Sequence, residues 1–266
     1  MSDTDYDPSP LPLARAVDEF ALTAVLLFTV VSAIRWLQDS GSPLYLSDRN
    51  TAFVVVGVIS GAALGALMVS PPGRRSGGHM NPAVTVALWL MDVFPGRSVA
   101  PYAVAQLAGS VVGVGLARLV WGRAVSMPHV AYAAIQPAAS WHSAAVFLAE
   151  AGCLIGLSLV IGFFLAHPAF ARLLPCTIGT AIAVIIIFLG PRSGGSVNPS
   201  RQFGPAVISG RTLDLWIYLV APILGAVLGA SVHHLLIRRF HTRRPLTYKL
   251  AGDSASRRAR TTVSER

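Results

Sequence analysis

Charged residues are scarce in this sequence. Asp, Glu, Lys and Arg make up 12% of its 266 residues, whereas a soluble domain averages about 25%. Hydrophobic residues make up 53%, and the mean hydropathy is +0.60. So few charges cannot cover a water-facing surface, which excludes an ordinary soluble globular protein and indicates a membrane protein.

Cysteines and basic N-terminal residues are also lacking. The two cysteines, Cys153 and Cys176, both lie in apolar runs, so we expect neither a disulfide framework nor a particular redox compartment. The first residues are acidic where a signal peptide would be basic, so no signal peptide is expected. We also expect no metal and no cofactor.

The excess positive charge is concentrated at one end of the chain. Residues 238–266 contribute +7 of the net +9, from nine Lys or Arg and two carboxylates. A basic tail on an apolar body is typical of a topology signal and of contact with lipid head groups. The lipid bilayer is therefore an expected partner, and nucleic acid is not.

Six segments are apolar and long enough to cross a bilayer as helices, which takes about 20 residues each. Fourteen Lys and Arg fall on the side of the N-terminus and seven on the other side. We therefore expect a multi-pass protein of the cell membrane with cytoplasmic tails at 1–12 and 241–266. The predicted spans are residues 13–35, 51–69, 99–117, 143–166, 173–190 and 214–237.

Glycines recur every fourth residue in four of the predicted spans. Small residues at this interval let helix backbones approach closely in lipid. We therefore expect these glycines to lie at helix–helix contacts. They are Gly57, Gly61 and Gly65, then Gly109 and Gly113, Gly152 and Gly156, and Gly225 and Gly229.

The two halves of the sequence repeat one pattern. Residues 76–84 align with residues 193–201, with five of nine positions identical, and Glu19 has a counterpart in Glu150. Each half contains three predicted spans, and an odd number makes the second half enter the membrane from the opposite side. The sequence thus predicts an inverted repeat. Its halves are residues 13–128 and 129–240.

An Asn-Pro pair follows two glycines in each half, at Asn81-Pro82 and at Asn198-Pro199. Asn favours the N-cap of a helix and Pro its first turn, and the apolar stretches that follow are too short to cross a bilayer. We expect two re-entrant half-helices whose N-termini meet near the midplane. The predicted fold is an all-α membrane protein with six transmembrane helices and two half-helices.

The meeting of two helix N-termini has an electrical consequence. Each carries about half a positive elementary charge, so the pair would repel protons and cations at a constriction. The asparagine amides would donate to a passing oxygen, and the carbonyls before them would accept from a passing donor. Such a pore would pass small neutral solutes. The carbonyls and the inner mouth are expected at Gly77, Gly78, His79, Gly194 and Ser196.

The paired motifs Gly-Gly-His-Met-Asn-Pro-Ala-Val-Thr and Gly-Gly-Ser-Val-Asn-Pro-Ser-Arg strongly resemble those of the aquaporin, or major intrinsic protein, family. The resemblance covers about residues 13–240 and implies a homotetramer with one pore per subunit. Ser200 stands where the family usually has alanine, a change that should leave the start of the half-helix intact. The implied pore motifs are Asn81, Pro82, Ala83, Asn198, Pro199 and Ser200.

The same resemblance implies an outer constriction of four residues. The insertion Pro71–Arg75 leaves it ambiguous which residue of the second span contributes to this constriction. Water-selective members have an aromatic residue and a histidine at the first two positions. A small residue followed by isoleucine resembles instead the metalloid-acid channels of plants and the broad-solute channels of bacteria. The implied constriction residues are Ser60 or Gly61, Ile186, Gly195 and Arg201.

These residues set the expected solutes. We expect a passive channel for water and for solutes the size of glycerol, urea, boric acid or arsenous acid. A strictly water-selective pore is the alternative. Gln202 stands where dedicated glycerol facilitators have Asp, which argues against a dedicated glycerol role.

Glu19 and Glu150 suggest a rival class. Intramembrane carboxylates occur in ion-coupled transporters, which also have inverted repeats. Their equivalent positions, each in a half with a Gly-rich loop, favour a structural role in which each carboxylate accepts backbone N–H groups and braces the loop. An enzyme is not expected, because nothing in the sequence groups a nucleophile with a base and an oxyanion site.

Overall fold

A computed structural model describes residues 12–240 of the chain. Within this range the chain forms long helices joined by short loops and 3-10 turns. The predicted tails lie outside the described residues except for Pro12, which begins α1. The helices are α1 (Pro12–Gln38), α2 (Arg49–Val69), α3 (Pro71–Ser76), α4 (Pro82–Leu90), α5 (Val99–Trp121), α6 (Ser143–Ala166), α7 (Leu174–Leu189), α8 (Pro199–Ser209) and α9 (Leu215–Phe240).

Six of these helices are long and apolar enough to cross a membrane, which confirms the predicted spans. They are α1, α2, α5, α6, α7 together with the 3-10 turn Pro168–Leu173 that precedes it, and α9. Helices α4 and α8 have 9 and 11 residues. At 1.5 Å per residue they reach only about 14 and 17 Å, roughly half of a bilayer core. The predicted all-α fold with two half-helices is therefore confirmed.

The helices pack in pairs that follow the internal repeat. In the first half α1 packs against α5, in the second α6 packs against α9, and α2 packs against α7 across the halves. Each half-helix packs on the last long helix of the opposite half, α4 on α9 and α8 on α5. The two halves therefore exchange half-helices at the centre of the bundle, where the buried core lies.

Glycines allow the closest helix approaches. A Cβ added at Gly61 would lie 2.2 Å from the Gly179 carbonyl oxygen, and one at Gly113 would lie 2.2 Å from that of Ala24. The predicted role of glycine in helix packing holds at these contacts. Gly152 and Gly156 differ, because a Cβ added at either meets no atom within 4 Å. Within one chain, the packing role predicted for this pair is wrong.

The insertion after α2 forms the short helix α3. The Ser70 side chain caps it by accepting from the Gly73 N–H at 3.3 Å. Arg75 then makes a two-bond ion pair with Asp18 of α1, at 2.6 and 3.0 Å. The Asp18 carboxylate raises the pKa of Arg75 above its usual value. The insertion thus ties the C-terminal end of α2 to the start of α1.

Candidate functional site

The two Asn-Pro pairs begin the half-helices as predicted. Asn81 is the N-cap of α4, and its Oδ1 accepts from the Ala83 N–H at 2.9 Å. Asn198 is the N-cap of α8, and its Oδ1 accepts from the Ser200 N–H at 2.9 Å. Both asparagines have extended backbones with nearly equal angles. Serine at position 200 therefore leaves the helix start intact.

The two half-helix N-termini are joined directly. Asn81 Nδ2 donates to the Val197 carbonyl and Asn198 Nδ2 donates to the Met80 carbonyl, each at 2.9 Å. An amide nitrogen carries two hydrogens, so each asparagine keeps a second donor. The sequence predicted that the two N-termini meet, and these crossed bonds are the contact that holds them together.

A left-handed backbone turns both loops toward this centre. The φ angles of Gly77 and Gly194 are 101° and 97°, values that favour glycine. Met80 and Val197 are also left-handed, with φ of 48° and 45°. Such angles are costly for these two side chains, but they leave each carbonyl where the opposing asparagine donates to it.

Glu19 braces the first loop with four hydrogen bonds. Its Oε1 accepts from Ser76 Oγ at 2.6 Å and from the His79 N–H at 2.9 Å. Its Oε2 accepts from the Met80 N–H at 2.6 Å and from Gln106 Nε2 at 2.7 Å. A fully buried carboxylate with all its bonds made to one loop and one neighbouring helix acts as a structural brace.

Glu150 braces the second loop in the same way with one donor fewer. It accepts from Ser193 Oγ at 2.8 Å, from the Ser196 N–H at 3.2 Å and from the Val197 N–H at 2.6 Å. Pro222 stands at the position that corresponds to Gln106 and has no side-chain donor. Both glutamates are fully buried and neither lines a cavity described below.

Two tyrosines complete the braces and were missed by the sequence reasoning. Tyr102 donates to the Ser76 carbonyl at 2.8 Å, and Tyr218 donates to the Ser193 carbonyl at 2.5 Å. Both rings are fully buried. Their equivalent places in α5 and α9 were the available signal, because each lies four residues before the matched position of Gln106 or Pro222.

An elongated cavity of about 350 Å³ passes the half-helix N-termini. A second cavity of about 390 Å³ opens on the side of Tyr45, Pro128 and Arg211. Both cavities are lined by Ile34, Phe53, Gly194 and Arg201, which therefore lie between the two spaces. The predicted site residues that line the first cavity are Ser60, Gly77, Gly78, His79, Asn81, Ile186, Gly194, Gly195, Ser196, Asn198 and Arg201.

Besides the two glutamates, five of the predicted site residues lie off the cavity. Pro82, Ala83, Pro199 and Ser200 belong to the first turns of the half-helices and are buried. Gly61 faces α7, where its backbone meets Gly179. These residues belong to helices that surround the cavity, but they do not line it.

The register of α2 against α7 differs from the one expected. A Cβ on Gly57 would lie 3.5 Å from Ile186 Cβ, whereas Gly61 faces Gly179 two turns further along α7. Val56, which lines the cavity, therefore lies at the level of Ile186. Ser60 lines the cavity one turn further along α2. The inserted helix α3 is the reason, because it shifts the spacing between α2 and Asn81.

Arg201 projects from α8 and is held by a loop. Its Nη1 donates to the Ala133 carbonyl at 2.7 Å. On the other side of the centre, His79 lines the cavity with its Nδ1 3.1 Å from Thr85 Oγ1, and its ring contacts Phe94 and Tyr102. The residues that line the cavity are mostly apolar, with a few polar groups at defined levels.

This geometry has a counterpart among known proteins. The family model described as "Major intrinsic protein" matches residues 9–233. The chain belongs to the major intrinsic protein family. Members of this family are channels and not enzymes, so the protein is a passive membrane channel for water and small neutral solutes.

Several relatives align along most of the chain. It is 32% identical over 255 residues to the propanediol uptake facilitator of Citrobacter freundii, covering 84% of this chain and 92% of that protein. It is 34% identical to the probable aquaporin NIP7-1 of Arabidopsis thaliana, covering 86% and 78%. The fold matches the aquaglyceroporin of Plasmodium falciparum with a TM-score of 0.70 at 21% identity, covering 85% and 97%.

Proposed function

We propose that solutes cross through the two cavities and are selected at a constriction of Val56, Ile186, Gly195 and Arg201. The observation that carries this proposal is the composition of that level. Two side chains are aliphatic, one position has no side chain, and Arg201 alone offers hydrogen bonds from its side chain. Val56 takes the place that the sequence reasoning gave to Ser60 or Gly61.

Such a constriction suits solutes larger than water. Val56 and Ile186 offer an apolar wall to the carbon side of a polyol, while the Arg201 guanidinium donates to its oxygen atoms. No described residue donates to the carbonyls of residues 77–79 and 194–196, so these are free to accept from a solute. The proposed solutes are water, glycerol, urea, boric acid and arsenous acid, and the named propanediol facilitator supports small diols as well.

Ion exclusion follows from the centre of the proposed path. The N-termini of α4 and α8 both point at the crossed asparagines, and each places positive partial charge there. Arg201 adds a full positive charge at the proposed constriction. A cation or a hydrated proton would meet repulsion at both levels, whereas a neutral solute would not.

The test is stopped-flow permeation in liposomes with water, glycerol, urea and boric acid. The wild-type channel should pass all four, and Ile186→His should lower glycerol flux relative to water by narrowing the level of Val56. Ile186→Val is the matched control and should leave the ratio unchanged. Permeation of water alone by the wild type would favour the strictly water-selective alternative.

Arg201→Val tests the second half of the proposal. Removal of the guanidinium should raise proton conductance and weaken discrimination among solutes. Unchanged proton conductance and unchanged solute ratios would remove Arg201 from the constriction. Flux that depends on a proton or sodium gradient would instead favour the ion-coupled transporter.

We further propose that residues 13–128 and 129–240 form the two inverted halves of a homotetrameric channel in the cell membrane, with both termini cytoplasmic. The count of Lys and Arg on the two sides supports the orientation. Gly152 and Gly156 support the tetramer, since they form an exposed seam of small residues on α6. Gly152→Leu should then lower the assembly size measured by light scattering in detergent, while Leu148→Val, also on α6, should not.

A further inference from the structure

The loop that holds Arg201 has an unusual backbone. Ala131, Tyr132 and Ala133 have φ angles of 43°, 57° and 64°. Three consecutive residues other than glycine in the left-handed region are strongly disfavoured, because each Cβ crowds its own backbone. Such a segment persists only where its surroundings hold it. The structure around Ala133 must therefore contain a clamp.

Gln202 provides this clamp from the residue next to Arg201. Its Oε1 accepts from the Ile135 N–H at 2.9 Å, and its Nε2 donates to the Ile135 carbonyl at 3.1 Å. Gln202 is 1% exposed and Ile135 is 9% exposed, so water does not compete for these bonds. The amide thus satisfies both backbone polar groups of one buried loop residue.

The clamp and the arginine act on the same short segment. Arg201 binds the Ala133 carbonyl while Gln202 binds Ile135, two residues further along. The Ile135 side chain also packs over Gly194, where a Cβ would lie 2.1 Å from Ile135 Cγ2. Fixing Ile135 therefore fixes the end of the left-handed segment and with it the carbonyl that holds the guanidinium.

We propose that Gln202 is a positioning residue for solute selection. It keeps residues 131–133 in their left-handed conformation, so that the Ala133 carbonyl holds the Arg201 guanidinium at the edge of the cavity. This inference rests on the role proposed above for Arg201. Arg211 also holds the loop, at the Pro128 carbonyl at 3.1 Å and at Gln136 Oε1 at 3.2 Å, but these bonds are exposed and cannot replace a buried clamp. The bond from the Ala138 N–H to the Arg192 carbonyl lies beyond Ile135 and does not contact residues 131–133.

Loss of the clamp has a predictable direction. Relaxation of the segment to ordinary angles moves the Ala133 carbonyl away, and Arg201 Nη1 loses its acceptor. The freed donor then turns to the nearest acceptors, which are the water molecules and solutes of the cavity. The guanidinium therefore narrows the path, and a larger solute is hindered more than water.

The experiment compares Gln202→Met with the wild type in liposomes. Methionine keeps the length of the side chain but neither donates to nor accepts from Ile135. We expect the ratio of glycerol to water permeability to fall about tenfold, the factor that corresponds to one lost hydrogen bond to a charged group. Gln202→Asn, which withdraws the amide by one methylene, should lower the ratio in the same direction if the methionine variant does not fold.

Two further variants separate positioning from a general structural effect. Gln136→Met makes the same chemical change at an exposed position of the same loop, where it removes only the exposed bond from Arg211 Nη1 at 3.2 Å, and should lower the ratio much less than Gln202→Met. Ala133→Gly removes strain, because glycine adopts positive φ readily. In the Gln202→Met background it should restore a large part of the lost ratio.

The outcomes distinguish this inference from the proposed function. A glycerol-to-water ratio that stays the same or rises in Gln202→Met overturns the inference, provided that Arg201→Val changes selectivity. An equal fall of water and glycerol permeability also overturns it, because a merely structural role would act on both. If Arg201→Val itself changes nothing, the proposed constriction fails first.

Discussion

Replacement of Gly61 by alanine tests the helix contact that sets the register of the proposed constriction. Helices α2 and α7 cross here with their backbones in contact. The added Cβ would lie 2.2 Å from the Gly179 carbonyl oxygen, 3.0 Å from its carbonyl carbon and 3.1 Å from Ala183 Cβ. Because two of these atoms are backbone, no side chain can move aside to relieve the overlap.

The expected magnitude follows from this overlap. Ordinary contact begins near 3.4 Å, so the helices must separate by about 1 Å. Overpacking of this kind costs roughly 1–3 kcal/mol, and alanine returns about 1 kcal/mol of helix propensity. Gly57 also lies close to α7, so separation cannot be confined to one turn. We expect the free energy of unfolding to fall by about 2 kcal/mol, which is the upper end of the difference between the overpacking cost and the gain in helix propensity.

Thermal unfolding in detergent measures this loss. A change of about 2 kcal/mol should lower the apparent melting temperature by roughly 4–8 °C for a chain of this size. Gly115→Ala is the matched control, since a Cβ at that helical position meets no atom within 4 Å. It should be neutral or slightly stabilising. Equal melting temperatures for the two variants would refute the close crossing of α2 and α7.

Three further predictions concern buried hydroxyls and the carboxylate that follows α1. Ser200→Ala should stabilise the protein by about 1 kcal/mol in thermal unfolding, because its buried Oγ has no partner among the described residues; destabilisation would contradict this. Tyr102→Phe and Tyr218→Phe should each cost about 1 kcal/mol and add in the double variant, since they share no hydrogen-bond partner; strong coupling in denaturant titrations would argue against independent braces. The Gly41 N–H, and after it His129, lowers the pKa of Asp39. Because the pKa of Asp39 is lower in the folded protein than in the unfolded chain, the ionised carboxylate stabilises the fold at pH values above its unfolded pKa. This stability is lost as the pH falls through the folded pKa. Amide exchange in the loop after α1, measured relative to its intrinsic rate, should therefore accelerate below about pH 4, and Asp39→Asn should abolish that step.

The architecture followed from the sequence because its determinants are local or repeated. Apolar length gives the six helices, and Asn-Pro after two glycines gives the two half-helix starts. The equivalent positions of Glu19 and Glu150 predicted their role as braces. Two equivalent carboxylates, each beside a loop rich in N–H donors, fit a structural role better than an ion path. Their hydrogen bonds in the structure have this pattern.

The register and the loop contacts did not follow from the sequence. An insertion conceals which residue of α2 faces Ile186, since a helix can absorb extra residues at either end. Only the close approach of Gly57 to α7 identifies Val56. The pairing of Gln202 with Ile135 joins residues 67 positions apart through a loop without periodicity. No pattern in the sequence reports a contact of that kind.

The comparison of the two halves explains why one of them carries the proposed selectivity. In both halves a glutamate braces the loop, the glycines of the loop have left-handed backbones, and an asparagine caps the half-helix. The centre of the proposed path is therefore nearly symmetric. The symmetry ends three residues beyond the asparagine, where Val84 in one half corresponds to Arg201 in the other. A charge placed in an apolar channel needs a fixed hydrogen-bond partner. In the second half the left-handed loop supplies this partner, the Ala133 carbonyl that accepts from Arg201. The proposed selection at one mouth of the channel therefore depends on both the added arginine and the loop that restrains it.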